Sequence, residues 1–405
     1  MRQRLVAAVA LAVAVVAACN PNPAPPIGPT AVVELLGGPK SVTDYSREIT
    51  AREVTLATGK VRSWSLGVDF GARPLPLAPV SSQPPAAYLL GEYGRPDLGI
   101  YTFPGAGPQH ISGALQSGNL GQVINGLASE LALAPNHTLF GNDHHDVVQL
   151  TLDGTVVNRW SIPIPVPGTY LGPSARGRPD GHTVDGVSIA LDAAGEPFAL
   201  TTNGVNGVIV DVKGGTRADL TGLGFIRDFK IRGDGQAFFI AKSFMPLAPN
   251  SGPYICPATS SYCFFNYVES LIEFDTRTMR LTGRYSLPAP EPAPYSSIVL
   301  GKSTVDVIQQ QETDSTLLTL DERSGTFIQH RIPVDSTFSA NVDGAGNLYF
   351  VYHDYRQVVL ASGARNPGFQ DGLMVYNRTT GKVFDASSPL RPPPDQELMG
   401  LLFRN

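Results

Sequence analysis

The sequence is poor in charge and contains no long amphipathic stretch. Charged residues make up 16% of its 405 residues, against an average of about 25% in soluble domains. We find no window of about 12 residues with the apolar periodicity of a helix. These two absences argue against a mainly helical protein. The 42 glycines and 35 prolines instead favour short strands joined by many turns.

Motifs of the common catalytic and cofactor sites are also absent. The chain contains no nucleophile elbow, P-loop, dinucleotide fingerprint or H-E-x-x-H motif. The glycine-rich segment 214–224 precedes no helical pattern, so turns explain its glycines better than a phosphate site does. The net charge of −5 leaves no basic footprint, so nucleic acid is not an expected partner. The sequence assigns no cofactor.

The first 30 residues predict export and a lipid anchor. Arg2 and Arg4 precede an unbroken apolar run that ends at Ala18, which is too short for a membrane span and typical of a secretory signal. The tetrapeptide VAAC ending at Cys19 resembles the bacterial lipobox, in which the cysteine is lipidated. We therefore expect a signal peptide (1–18), a Pro-rich tether from the lipidated Cys19 (19–30), and one domain (31–405) in the cell envelope. An ordinary signal peptide with a nearby cysteine is the alternative.

Cysteine is scarce, and its use fits an exported protein. Lipidation of Cys19 leaves Cys256 and Cys263, which lie seven positions apart. In an oxidising compartment a disulfide between them is the simplest reading, and two unrelated thiols are the alternative. So small a ring stabilises a fold by about 2 to 3 kcal/mol at most. We expect it to restrain one loop.

A pair of strands around a tight turn recurs seven times. The turns are centred at positions 59, 105, 154, 214, 278, 325 and 381, so the spacing runs from 46 to 64 residues. A propeller blade occupies roughly 40 to 50 residues. The clearest unit, Ser129 to Trp160, contains four short strands at 129–134, 138–141, 147–152 and 156–160. The repeats predict an all-β fold, a β-propeller of seven blades with four antiparallel strands each.

Another strand pair precedes the first in several copies. Its members are VSIALDAAGEPFALTT (187–202), DFKIRGDGQAFFIAKS (228–243) and FSANVDGAGNLYFVYHD (338–354). These segments resemble the repeats of NHL and SMP-30/gluconolactonase-like propellers, in which a D-x-x-G turn joins two strands. The resemblance covers most of residues 41–386 and implies architecture, not activity. A gluconolactonase-like calcium site is unsupported, because the inner strands read from the sequence end in Asp only at their turns.

The two ends of the domain predict how the ring closes. Ala31 to Leu36 and Glu397 to Phe403 are apolar runs, and the first repeat lacks a clean strand pair in front of it. An unpaired sheet edge invites aggregation. We therefore expect a C-terminal strand to complete blade one. A loosely packed tail is the alternative.

The alternation of strand direction sorts polar residues by face. If each blade has strands A to D, the B–C and D–A connections share one face, and His137 in an A–B turn lies on the other. His144, His145 and Asp146 fall in one B–C connection. The same face is predicted to receive His182, Asp185, Tyr254, Tyr262, Phe264, Phe265, Tyr267, His353 and Asp354.

Two functions are compatible with this face. The first is a lipid-anchored, non-enzymatic protein that binds, or serves as a scaffold for, a protein or glycan partner, with the clustered aromatic rings as a stacking surface. Packing of those rings onto their own blade is the plainer alternative. The second is a metal-dependent, lactonase-like hydrolase or lyase. Its metal would use the histidines and aspartates, although they lack regular ligand spacing.

Overall fold

The structure, a computed structural model, describes most of the chain beyond residue 28. The described residues are 29–39, 41, 43, 46–69, 73–77, 84–90, 99–112, 131–143, 146–152, 154–163, 185–202, 206–223, 225–244, 267–288, 295–310, 314–333, 336–354, 358–359, 365–366, 370–385, 390, 393 and 396–404. In these ranges all regular secondary structure is β-strand, and no helix long and apolar enough to cross a membrane occurs.

Thirty strands within the described residues form seven four-stranded antiparallel sheets and one two-stranded hairpin. The sheets are the blades of a β-propeller, which confirms the predicted fold class. We letter the strands of each blade A to D from the centre outwards, since the A strands of neighbouring blades contact one another. All seven strand pairs found in the sequence are C–D hairpins.

The blades follow the chain in order. Blade one contains β1 (Ala31–Gly37), β2 (Arg47–Thr55), β3 (Val61–Asp69) and, as strand A, β30 (Glu397–Arg404). Blade two contains β4 (Arg73–Leu77), β5 (Ala86–Leu90), β6 (Gly99–Thr102) and β7 (Gln109–Ser112). Blade three contains β8 (Ala132–Leu133), β9 (Leu139–Asp143), β10 (Asp146–Leu150) and β11 (Val156–Ser161). Blade four contains β12 (Asp185–Leu191), β13 (Pro197–Thr202), β14 (Gly207–Asp211) and β15 (Arg217–Leu220).

The remaining three blades are built in the same way. Blade five contains β16 (Phe225–Ile231), β17 (Gln236–Phe244), β18 (Tyr267–Asp275) and β19 (Arg280–Ser286). Blade six contains β20 (Tyr295–Leu300), β21 (Val305–Gln310), β22 (Ser315–Asp321) and β23 (Thr326–Ile332). Blade seven contains β24 (Ser336–Val342), β25 (Leu348–Asp354), β28 (Gln370–Asn377) and β29 (Lys382–Asp385), and the hairpin β26 (Val358–Val359) and β27 (Arg365–Asn366) lies in its B–C connection.

Apolar side chains fill the space between each pair of neighbouring blades. Strand β17 shows how alternation achieves this: Phe239 packs in the core between blades four and five, while Phe238 and Ile240 pack between blades five and six. Successive side chains of a strand point to opposite faces, so a strand inside the ring needs apolar residues at nearly every position. That requirement explains why several B strands read as continuous apolar runs.

The C-terminal strand closes the ring, as predicted. Strand β30 pairs antiparallel with β1 along its length, with a register shift at Leu35/Leu36. Leu401 packs in the core between blades seven and one, and Leu402 in the core between blades one and two. Arg404 also pairs with Glu53 at 3.2 Å. One strand therefore joins both neighbours of blade one.

Buried ions bridge blades six and seven. Asp306 is fully buried and accepts from Arg378 Nη2 at 2.7 Å and from Thr319 Oγ1 at 2.6 Å. Burial raises the pKa of Asp306, and the guanidinium of Arg378 opposes that rise. Beside them the hydroxyl of Tyr376 lies 2.7 Å from His330 Nε2, and burial, followed by the charge of Arg378, lowers the pKa of His330.

Candidate functional site

The propeller has two faces, defined here by the strand connections. The upper face carries the B–C and D–A connections, and the lower face carries the A–B and C–D turns. B–C connections differ greatly in length: two residues separate β9 from β10, whereas residues 245–266 separate β17 from β18. This longest B–C connection starts and ends on adjacent, directly paired strands of blade five.

A buried polar network lies just below that connection. Lys242 and Glu269 are directly opposite each other on β17 and β18, and Ser296 and Gln309 are directly opposite each other on β20 and β21. Lys242 Nζ is 2.8 Å from Glu269 Oε1, and Ser296 Oγ donates to Glu269 Oε2 at 2.5 Å. Gln309 Nε2 donates to the same carboxylate oxygen at 3.4 Å. The network thus links the upper ends of blades five and six.

The environment makes this network rigid. Glu269 is 5% exposed and the Lys242 side chain 12%, so their attraction operates at a lower dielectric than water provides. A buried carboxylate is tolerated only when its oxygens are paired, and here ammonium, hydroxyl and amide groups surround it. Although a serine donating to a carboxylate resembles a nucleophile and its base, Ser296 is buried and the carboxylate is held by Lys242. The arrangement therefore fixes the strand ends that carry residues 245–266.

A second device joins blades five and six at their innermost strands. Asp228 lies in a bulge of β16, with a left-handed φ of 51°, and its carboxylate accepts the backbone N–H of Ile298. Lys230 Nζ donates to the carbonyl oxygen of the same residue. Two side chains therefore supply hydrogen bonds that a neighbouring strand would otherwise make. A non-glycine residue at positive φ is uncommon and is held only by such surroundings.

Asp146 is the predicted site residue whose side chain the structure describes. Arg159 Nη1 donates to its Oδ2 at 2.8 Å, and Ser161 Oγ donates to its Oδ1 at 2.8 Å. Both oxygens thus bind groups on β11, across the C–D hairpin of blade three. Nearby, Asn142 donates to the carbonyl oxygen of Val187 in blade four at 2.8 Å. These hydrogen bonds therefore hold the strand ends of blade three in place at the upper face and link them to blade four.

The other predicted site residues divide into two groups. For four of them the structure describes the backbone, which lies at an upper strand end: Asp185, Tyr267, His353 and Asp354. Strand direction therefore places these four at the predicted face. The rest lie outside the described residues: Cys19, His144, His145, His182, Tyr254, Cys256, Tyr262, Cys263, Phe264 and Phe265.

The described residues contain no group of three or more His, Cys, Asp or Glu side chains arranged to hold a metal ion. Asp146 uses its carboxylate on Arg159 and Ser161, and Glu269 uses its own on Lys242 and Ser296. Neither of these carboxylates is presented as a ligand in the described part of the chain.

Sequence reasoning missed the buried network and Asp228. Lys242 and Glu269 flank the long connection, each two positions inside its strand end, so a charge of each sign beside an insertion was the available signal. Asp228 was read only as the first residue of the alternating segment 228–243, and that pattern does not indicate its bulge or its bond to the next blade. Nothing in the sequence marks Ser296 or Gln309.

Comparison with known proteins supports the fold. No protein-family model and no curated protein matches the sequence. Among solved structures, a 6-phosphogluconolactonase-like protein of Bacteroides uniformis is similar, with a TM-score of 0.51 and 11% identity over 92% of this chain and 99% of that one. One from Bacteroides fragilis has a TM-score of 0.49 and 10% identity, over 93% and 98%. An oligogalacturonate lyase in complex with manganese has a TM-score of 0.41 and 11% identity, over 87% and 84%. At 11% identity, the likeness to the Bacteroides uniformis protein supports the propeller fold alone.

Proposed function

We propose that the protein is a lipid-anchored binding protein of the bacterial cell envelope, which recognises a protein or glycan partner with its upper face. The signal-like N-terminus and the VAAC motif support export and lipidation at Cys19. Loops carried by a rigid scaffold are the usual carriers of recognition. The structure provides such a scaffold, because seven apolar cores between blades hold the ring together.

The observation that carries the proposal is the buried network of Lys242, Glu269, Ser296 and Gln309. It fixes both strands from which residues 245–266 project and ties them to the next blade. That connection contains most of the predicted aromatic residues and the two cysteines of the proposed disulfide, Cys256 and Cys263. When the strand ends that flank a loop are already fixed, less conformational entropy is lost as the loop binds a partner. We therefore place the binding surface over blades three to six.

Alanine at both His145 and His182 is expected to weaken partner binding without unfolding the protein. Tagged wild-type protein would capture its partner from detergent-solubilised membranes, and the double variant would capture several-fold less. Unfolding free energy should stay within about 0.5 kcal/mol of wild type, as for most exposed positions. Partner recovery and melting temperature measured on the same preparations check both statements.

His137 offers a matched control on the lower face. It is exposed in an A–B turn and adopts a φ of 61°, so His137→Asn suits the backbone better than alanine. This variant should capture as much partner as wild type. If His137→Asn loses capture while the double variant keeps it, the partner binds the lower face and the proposal is contradicted.

Replacing Cys19 by serine is expected to remove the protein from the detergent phase of a partition assay. The prediction follows from VAAC, because an acyl chain on Cys19 supplies the apolar area that holds the chain to a bilayer. Detergent-phase partition of cell extracts measures the effect, and Cys256→Ser is the control because it leaves the motif intact. Equal partition of Cys19→Ser and wild type into the detergent phase would contradict lipid anchoring.

A further inference from the structure

Cations are concentrated on the lower side of one sector of the ring. Lys60 precedes strand D of blade one, Arg280 and Lys382 begin strand D of blades five and seven, and Lys302 lies in the A–B turn of blade six. All four side chains are exposed, and none forms an ion pair with another described residue. Blades five, six, seven and one are consecutive around the closed ring, so the four charges share one sector.

Exposed apolar side chains accompany these cations. Val61, Leu281, Ile328 and Phe384 are 42%, 46%, 55% and 49% exposed. Single exposed apolar residues are common on protein surfaces, so the informative feature is that these four recur in the same part of strand D. Each lies within the first three residues of strand D in blades one, five, six and seven, beside the lower face. We call these four residues, with Lys60, Arg280, Lys302 and Lys382, the lower margin.

Nearby acidic side chains are directed to internal partners. Asp275, Asp321 and Asp343 accept backbone N–H groups of their own turns, and Glu322 pairs with Arg232 of blade five. These carboxylates stay charged, since the hydroxyl of Ser324 and backbone N–H groups lower the pKa of Asp321. The exposed Arg277 and Arg323 lie in the same turns as Asp275 and Asp321 and offset those two negative charges.

Blade four shows the contrasting arrangement. There Lys213 pairs with Glu196, and Arg217 pairs with Asp219. None of the exposed large apolar residues among the described ones lies on blade four. Blade three has an exposed apolar residue at the equivalent place, Val157, but no lysine or arginine in its described lower turns. Among the described residues of the lower face, exposed cations and exposed apolar side chains therefore occur together in one sector.

The N-terminal end of the ring lies at the same face. Thr30 donates its N–H to the carbonyl oxygen of Arg404 at 2.7 Å, and its own carbonyl accepts from Leu56 at 3.0 Å. Arg404 ends the descending strand β30, and Leu56 opens the C–D turn of blade one. Thr30, which precedes β1, therefore lies at the lower face.

We propose that the lower margin docks on the anionic headgroup surface of a phospholipid bilayer. Lys and Arg are attracted to anionic lipids over about a Debye length, and adjacent apolar side chains can enter the interface between headgroups and acyl chains. The lower turns of these consecutive blades lie on one face of the ring, so one membrane surface can approach several of them. The upper face then points away from the membrane, towards its partner. This docking does not require a lipid on Cys19. If the proposed function holds, docking turns the lower face to the membrane and leaves the upper face free for the partner.

Binding to vesicles tests the proposal. The protein is the chain from residue 19 with Cys19→Ser, since every strand of the ring lies between Ala31 and Arg404. It should bind vesicles of phosphatidylcholine and phosphatidylglycerol in equal parts, but not phosphatidylcholine alone. Changing Arg280, Lys302 and Lys382 to Gln should weaken binding about 100-fold, at about fivefold per cation. High salt should release the protein.

A matched triple variant removes equal charge from the upper halves of D strands: Arg159→Gln, Arg284→Gln and Arg331→Gln. It should bind anionic vesicles nearly as wild type does. Both triples should stay folded, although the control also loses the exposed Arg159–Asp146 and Arg331–Asp314 ion pairs, worth up to about 1 kcal/mol each. Absence of wild-type binding, equal binding to neutral vesicles, or equal losses in the two triples would each overturn the proposal. Partner capture by the Arg280, Lys302 and Lys382 variant separates the two ideas. If this variant captures the partner normally but no longer binds vesicles, both the docking surface and the proposed function are supported. If the wild-type protein binds vesicles but captures no partner, only the proposed function is rejected.

Discussion

Deletion of Glu397 to Asn405 is expected to abolish the cooperative fold, because it removes the innermost strand of blade one. The deletion exposes the edge of β1 over its whole length, and it empties space that Leu401 and Leu402 fill in two separate cores. It also leaves Glu53 buried without Arg404. The summed loss is of the order of a whole domain's stability, about 5 kcal/mol or more. The bared edge would then pair between molecules and cause aggregation.

Removal of Asn405 alone is the control, since it leaves β30 intact. Thermal unfolding and size-exclusion chromatography of the two variants make the comparison. The short deletion should behave as wild type, and the long one should elute as aggregate or melt far lower. A long deletion that stays monomeric at the wild-type melting temperature would mean that β30 does not hold the ring closed.

The outer half of each blade could be predicted because its turns have a local chemical signature. Gly59, Gly154, Gly325 and Gly381 all adopt positive φ in the C–D turns, where glycine has no side chain to clash. These glycines recur in the sequence at intervals close to the length of one propeller blade, and so they marked the turns. In blade five Met279 takes the left-handed position at φ 52°, and there only the flanking strands revealed the turn.

The innermost strands were harder to predict than the outer ones, because closure of the ring specifies them more than the local sequence does. Strand β8 has two residues, and β4 has the sequence RPLPL, which argues against a strand. The two prolines of β4 are two positions apart, so both nitrogens lie on one side of the strand. A strand whose free edge faces the channel tolerates missing N–H groups there.

The candidate site was predicted as a face but not as a set of contacts. Strand parity needs only the number of strands in each blade, so the sequence could predict which connections share a face, and recognition at that face stays a prediction. The buried network required the register of two hairpins and the packing of two blades. Lys242 and Ser296 are 54 positions apart in sequence and meet at Glu269 only when blades five and six are in place. No local pattern encodes that meeting.

Replacing Arg378 by methionine is expected to destabilise the protein by about 3 to 5 kcal/mol, since it leaves Asp306 as a buried charge without a counter-ion. Methionine keeps much of the side-chain volume, so the loss reports charge more than packing. Thr319 still donates to the carboxylate, but a hydroxyl cannot neutralise it. Adding Asp306→Asn removes the charge and should recover most of the loss. Chemical denaturation of the single and double variants measures both effects at pH 7.

The same pair of variants should differ in pH dependence, with a sign that the burial of Asp306 determines. Burial raises its folded-state pKa, and Arg378 opposes that rise, so losing Arg378 lifts the pKa further above the unfolded value of about 3.9. The folded state then binds more protons than the unfolded state, and stability falls as pH rises from the unfolded pKa to the folded one. Arg378→Met should therefore lose less at pH 4 than at pH 7, while the double variant lacks this trend. Both variants would be compared in a His330→Gln background, because the charge of Asp306 raises the pKa of His330 and its titration would otherwise differ between them. A loss that is equal at both pH values would show that Arg378 stabilises the blades through packing instead of charge.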